Sequence, residues 1–302
     1  MPAIPFHHVD VFTDRQFEGN PLAVFPDASM LDGAQMQRIA REMNLSETTF
    51  VLPPEDSDVA AKVRIFTPSQ ELRFAGHPTI GTAFVLRQTG AVPHDASSIL
   101  VEEGIGLVAV RFERQDSFMA WLTTPRITFG RTFADVAGVA SALALAASDV
   151  HPEAPIGIVS AGTPFFYVPL REPALVDHAT LDMRAMRGVI GTEDVAGVYV
   201  FALRPHGVYS RMFAPENGII EDPATGSAAG PLCAYLVRHG LVRLEASLEL
   251  VIEQGTAMGR RSILHVRVQN NGDAPTIEVG GSAVPLMQGT LRLNAPEHAR
   301  TE

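Results

Sequence analysis

The chain of 302 residues contains a single cysteine, Cys233. One thiol can form neither an internal disulfide nor a thiolate metal cluster, and it suits a reducing compartment. Basic runs are also missing, with 23 Lys and Arg against 34 Asp and Glu and a formal charge of -11. Nucleic-acid binding needs clustered cations to neutralise phosphates, so no nucleic-acid partner is expected. No apolar run approaches the ~20 residues that span a bilayer, and the N-terminal "MPAIPFHHVDVF" lacks a basic-then-apolar signal pattern. These absences predict a cytoplasmic protein with no membrane partner. Core material is plentiful: 46% of residues are hydrophobic, enough for one large or two ordinary domains.

The most informative stretch is residues 221–230, "EDPATGSAAG", followed by the apolar "PLCAYLV". Asp222 stands five residues before Ser227, with Thr225 and Gly226 between them, where a helix is predicted to start. The unpaired N–H groups and positive dipole end of such a helix would face whatever lies beside Ser227, a setting for a carboxylate or phosphate. The plainer alternative makes Asp222 the helix cap and leaves Ser227 in the first turn. In "ELRFAGHPTIGTAFVL", a second helix opens at Gly76, His77 and Pro78, where proline costs no internal hydrogen bond. Apolar on all sides, it is expected to be buried at the centre of a wrapped sheet. His77 is either a functional imidazole at its N-terminus or a capping, packed one. Glu47 lies between Ser46 and Thr48, where "NLSETTFVLPP" leads from a helix into a strand. It is either a carboxylate placed to act as a base or a solvated turn residue.

Around these stretches the pattern is mostly β. "PFHHVDVFT" and "NPLAVF" read as strands about a turn at Gly19, and residues 30–43 as a helix burying Met36, Ile39, Ala40 and Met43. "SSILVEE", "GIGLVAVRFE" and "SFMAWLTT" read as an antiparallel series, residues 132–147 as an Ala-rich helix and 148–155 as a linker. "GNPLAVF" at 19–25 is echoed by "GTPFFYV" at 162–168, and "RIFTP" at 64–68 by "RMFAP" at 211–215. Each Arg-x-Phe-x-Pro is followed by a Gly-bearing turn and an apolar helix. The unit is too long for a solenoid repeat, so two pseudo-symmetric domains are expected: 1–127 with a returning C-terminal strand at about 283–302, and 128–282. Both helix N-termini would then point into one cleft between the domains, a favoured place for a ligand.

"FEGNPLAVF", "NLSETTFV", "ELRFAGHPTIGTA", "EDPATGSAAG" and "IEQGTAMGR" together resemble the phenazine-biosynthesis PhzF-like isomerase family across nearly the whole chain. The resemblance implies a diaminopimelate epimerase-like α+β fold of two pseudo-symmetric domains, each a mostly antiparallel β-roll wrapped around a central helix. It also implies a homodimer that isomerises a small carboxylate-bearing cyclic substrate, trans-2,3-dihydro-3-hydroxyanthranilate or a relative, without cofactor or metal. The family's acid/base glutamate falls on Glu47, its histidine on His77, and its aspartate and serine on Asp222 and Ser227. His77 and Asp222 would hold or relay protons. Ser46, Gly76, Thr225, Gly226 and Ser227 would form the substrate-binding set, with Ser227 on the substrate carboxylate.

Relatives of wider kinship that use one cysteine per domain are not matched. The corresponding turns here read Ala75-Gly76-His77 and Pro223-Ala224-Thr225, and Cys233 falls about two turns into the second helix, where an inert buried thiol is expected. Arg73 departs from the family's proline before Phe74. No Gly-x-Gly-x-x-Gly links a strand to a helix, and the histidines show no ligand spacing. The competing class is a non-catalytic member that keeps the cleft to bind a small acid or a protein.

Overall fold

Parallel strands cannot be joined by a tight turn, so each parallel pair in a chain marks a crossover. In this computed structural model, which describes residues 3–113, 118–272 and 275–293, there are four such pairs, and they fall into two matching sets. In the first set Asn20–Phe25 runs parallel to Glu47–Leu52, and Ala61–Phe66 to Ser98–Glu103. In the second, Pro164–Pro169 runs parallel to Gly197–Arg204, and Gly207–Ala214 to Ser247–Gln254. The remaining pairings are antiparallel, and the two halves are stitched together where Ala120–Thr123 pairs with Thr276–Gly281. The last described strand, Ala283–Arg292, returns to the start of the chain with Ala3 opposite Arg292. Thr128–Phe133 occupies the same place in the second half, against Ile156–Ser160. The fold is therefore α+β with two pseudo-symmetric domains, each a mostly antiparallel β-roll around a central helix. Residues 294–302 of the C-terminal segment lie outside the described residues.

Six α-helices occur among the described residues. Helix α1, Gly33–Met43, is opened by Asp32, whose carboxylate accepts from the Gln35 N–H while the Gln35 side chain accepts from the Asp32 N–H. This reciprocal cap fixes the start, and Met36, Ile39 and Ala40 form the buried face, with Met43 partly buried at its end. Helix α2, Gly76–Gln88, buries every residue from Gly76 to Ala83 together with Val85 and Leu86, the all-round burial expected of a helix inside a roll. Helices α3 (Val136–Ala142), α4 (Pro173–His178) and α5 (Met183–Ile190) precede α6 (Gly226–Arg238), the counterpart of α2 at the centre of the second roll.

The Ala-rich stretch 132–147 is a helix only over α3. Thr132 and Phe133 end a strand paired with Gly157 and Ile156, and Ala144 adopts a left-handed φ of 57° that stops the helix. Strand pairing has overridden the helical preference of the composition. The expected linker is also structured: Ala147–Asp149 form a 3₁₀ turn and Val150 bridges to Leu170. Helices α4 and α5 fill the second crossover, the place of α1 in the first. No helix among the described residues is long and apolar enough to cross a membrane.

Candidate active site

The two central helices begin against each other. A Cβ on Gly76 would stand 2.9 Å from Gly226 Cα, and one on Gly226 would stand 3.2 Å from Gly76 Cα. Only glycine at both positions allows this approach, so two sets of unpaired helix-start N–H groups meet at one spot. Asp222 ends the strand Ile219–Asp222, and it is not the helix cap: the α6 cap position is Thr225. Instead the buried Asp222 carboxylate gathers hydrogen bonds from both halves. It accepts from Asn20 Nδ2 at 2.8 Å and Ser46 Oγ at 3.0 Å on Oδ1, and from Thr225 Oγ1 at 2.6 Å on Oδ2.

Glu47 opens its strand beside this cluster, with Oε2 at 3.4 Å from His77 Nδ1. His77 is 3% exposed, and burial pushes its imidazole down to about 3, so the ring is neutral and the contact is not an ion pair. Asn20 Nδ2 also lies 3.3 Å from His77 Nδ1 and 2.9 Å from the Ala224 carbonyl, so one amide joins the histidine of the first half to the aspartate of the second. Burial raises the Asp222 carboxyl to about 6 against the pull of its three donors. Glu47 is raised well above the usual carboxylate range, first by burial and then by the negative charge of Asp222. Of the pair, Asp222, with its donors, is the readier to carry the charge and Glu47 the readier to hold the proton.

Behind Asp222 stands Gln254. Its Nε2 donates to the Asp222 carbonyl at 2.8 Å and to Thr225 Oγ1 at 3.0 Å, and its Oε1 accepts from the Thr225 N–H and from Tyr199 OH. Neither Asn20 nor Gln254 was singled out from the sequence; their positions beside Gly19 and Gly255, inside the motifs "GNPLAVF" and "IEQGTAMGR", were the available signal. Glu47, Asp222, Thr225 and Ser227 line a cleft of about 550 Å³ whose other walls include Arg73, Ile105, Thr163 and Asn217. Gly76, Gly226 and His77 pack behind that lining. Asn20 Oδ1, Glu47 Oε2 and His77 Nε2 are buried polar atoms with no hydrogen-bond partner. Such atoms are costly unless a polar ligand completes them. Cys233 is buried in α6, and burial raises its thiol to about 12. Among the described residues no group of three or more His, Cys, Asp or Glu side chains could hold a metal ion.

The profile of the family described as "Phenazine biosynthesis-like protein" matches residues 9–289. Trans-2,3-dihydro-3-hydroxyanthranilate isomerase of Pseudomonas chlororaphis is 39% identical, over 95% of this chain and 100% of that protein. The crystal structure of the Bacillus anthracis phenazine biosynthesis protein of the PhzF family superposes with a TM-score of 0.90 at 26% identity, covering 97% of this chain and 100% of that one. A probable proline racemase from Agrobacterium radiobacter shares the fold alone, with a TM-score of 0.66 at 14% identity over 96% and 93% of the two chains. The chain belongs to the PhzF-like, phenazine-biosynthesis family and is an isomerase.

Proposed function

We propose that this protein is a cofactor-independent isomerase that shifts a proton on a small carboxylate-bearing cyclic substrate, trans-2,3-dihydro-3-hydroxyanthranilate or a close relative, with Glu47 as acid and base. The observation that supports this reading is the Glu47–Asp222 pair: a buried carboxyl, Asp222, and a largely buried one, Glu47, one from each half, bordering a single cleft. Ionised Glu47 takes a proton from one ring carbon, and the resulting carboxylic acid returns it to another, leaving an enol that becomes a ketone. No proton is gained or lost overall. A carboxyl raised well above its ordinary range suits both steps, being a stronger base when ionised and a ready acid when protonated. His77 and Asp222 hold and relay protons, while Ser227, the α6 N–H groups and the helix dipole receive the substrate carboxylate. Ser46, Thr225, Gly76 and Gly226 complete the substrate-binding set. We place the domain limits at 1–127 with about 283–302, and 128–282, and the working form as a cytoplasmic homodimer.

The test is turnover of trans-2,3-dihydro-3-hydroxyanthranilate in deuterium oxide, followed by NMR, with Glu47→Gln alongside. The variant is expected to lose roughly 10²–10⁴-fold in kcat, the scale of a positioned acid/base, while binding nearly as well. Turnover that survives the substitution would remove Glu47 from the mechanism; ligand binding without turnover in the wild type would favour the binding-only member. The sign of the pH dependence is also set. A base must be ionised to act, and the folded pKa of Glu47 is raised. Accordingly kcat/KM should climb as pH rises through that elevated value, not level off near 4.5. An activity already flat by pH 5 would contradict the assignment.

A further inference from the structure

The proposed chemistry uses Glu47 and Asp222 and leaves a third buried carboxyl unexplained. Glu103 ends the strand Ser98–Glu103, is 5% exposed, and has one oxygen, Oε2, with no hydrogen-bond partner. Its other oxygen, Oε1, lies 2.6 Å from Thr79 Oγ1, and that hydroxyl lies 2.7 Å from the Ala75 carbonyl. Thr79 owns one hydroxyl proton and stands within hydrogen-bond distance of two oxygens. If Glu103 were ionised, one of those contacts would be oxygen against oxygen with no proton between. With the proton on Glu103, both become hydrogen bonds: Glu103 donates to Thr79, and Thr79 donates to Ala75.

The second half supports this assignment. The strand matching Ser98–Glu103 is Ser247–Gln254, so Gln254 and Gly255 stand where Glu103 and Gly104 stand. Gln254 is a neutral donor that feeds Thr225 Oγ1, which in turn donates to Asp222. Each roll thus ends a strand with a side chain that hydrogen-bonds a threonine near the start of its central helix, Thr79 in the first turn of α2 and Thr225 at the cap of α6. In one half that side chain is an amide; in the other it is a carboxylic acid.

We propose that Glu103 is a positioning residue that works as the neutral acid, holding Ala75 through Thr79 so that the Ala75–Gly76–His77 turn keeps its aim at Glu47. Ionisation reverses the Thr79 hydroxyl and leaves the Ala75 carbonyl with only the longer bond from the Thr79 N–H, at 3.3 Å. Burial raises the Glu103 carboxyl to about 8, against the smaller opposing effect of Thr79. Among the described residues no charged side chain pairs with it. Arg73, on the neighbouring turn, is held on the Gly104 carbonyl, and Glu102 pairs with Lys62.

Two readouts test this without any turnover, so they stand apart from the isomerase reading on which the role rests. The first is the His77 ring, followed by NMR in histidine-labelled protein from pH 5.5 to 9.5. His77 itself does not titrate there, and its neighbour Glu47 is silenced by carrying Glu47→Gln in both proteins, so an inflection near pH 8 that is present with Glu103 and absent in Glu103→Gln is expected. The second is Tm. The folded pKa of Glu103 is raised, so the wild type loses stability as pH rises from about 4.5, where the unfolded carboxyl ionises, to about 8. Glu103→Gln should match the wild type near pH 4.5 and exceed it by several degrees at pH 9, whereas Glu103→Ala should fall below it at pH 4.5. If the inflection persists unchanged in Glu103→Gln, or if Gln lowers Tm at pH 9 as Ala does, the proposal fails. If turnover is also measured, kcat should fall at high pH more than KM changes, and the Gln variant should lack that fall.

Discussion

The two rolls repeat one strand order, and several of the positions where they differ lie at or beside the cleft. Glu47 heads the strand that follows the first crossover; Gly197 heads the matching strand in the second half. A side chain cannot stand there, because a Cβ on Gly197 would lie 2.7 Å from both Met212 Sδ and the Phe213 carbonyl. At the helix tips His77 is matched by Ser227, and at the ends of the following strands Glu103 is matched by Gln254. Elsewhere the repeat is faithful: Arg64 makes a bidentate pair with Glu71, and Arg211 with Glu221. Duplication thus supplies a frame in which two helix starts face each other. Substitution at the strand ends then gives the cleft one carboxyl from each half, Glu47 from the first and Asp222 from the second.

Among changes that test the match between the two rolls, the largest effect should come from disturbing the symmetric contact itself. Gly76→Ala places a methyl 2.9 Å from Gly226 Cα, and the neighbour is backbone with no rotamer to yield. The tips must separate, and misplacement on the ångström scale can cost on the order of 10²-fold in rate. Turnover and Tm measured together would reveal it; a variant within twofold of wild-type kcat would mean that the close approach does not position the site. The arginine pairs come next. Arg211 is largely buried and its Nη1 also donates to the carbonyls of Val176, Asp177 and Ala179, pinning the end of α4, whereas Arg64 and Glu71 are considerably more exposed. Removing one partner of a buried pair costs roughly 3–5 kcal/mol, so Arg211→Met should approach about 3 kcal/mol in denaturant unfolding. Arg64→Met should cost less than about 1 kcal/mol, the scale of an exposed pair. Equal losses would show that the repeat is energetically symmetric after all.

Much of this frame is legible in the chain. Apolar periodicity marks α1, apolar runs behind Gly-bearing turns mark α2 and α6, and the two Arg-x-Phe-x-Pro motifs reveal the duplication because each ion-paired arginine sits at the same point of each roll. The short helices α4 and α5 escape notice because six and eight residues give little periodicity to read. The Ala-rich run misleads because composition reports helix preference while the Thr128–Phe133 strand is decided by a partner strand further on, with Phe133 opposite Ile156, 23 residues away. The site is less legible than the fold for a related reason. Glu47, His77 and Asp222 lie in motifs whose residue types suggest chemistry. Asn20 connects them through contacts 57 and 202 residues away, and nothing local in "GNPLAVF" announces those contacts. Gln254 and Glu103 look like ordinary strand residues until the fold brings each beneath a helix tip.

The smallest expected effect concerns a position in the cleft wall where the first half departs from its twin. Arg73 stands where the second half has Pro223, and among the described residues lining the cleft it is the only cationic side chain. Its Nε and Nη2 donate to the Gly104 carbonyl at 3.2 and 3.1 Å, which fixes the guanidinium at the wall without neutralising it. An anionic substrate should therefore feel Arg73 as a nearby, solvent-exposed charge and not as a buried partner. Exposed pairs contribute up to about 1 kcal/mol, so Arg73→Met should raise KM by roughly threefold and leave kcat within a factor of about two. Screening separates this from a change of shape. A charge effect at an exposed site fades as the Debye length shrinks, from about 10 Å at 0.1 M salt to about 3 Å at 1 M. The KM difference between wild type and Arg73→Met should close over that range. If it persists at 1 M salt, Arg73 acts by shaping the wall through Gly104, and the departure from proline changes the geometry of the cleft more than its field.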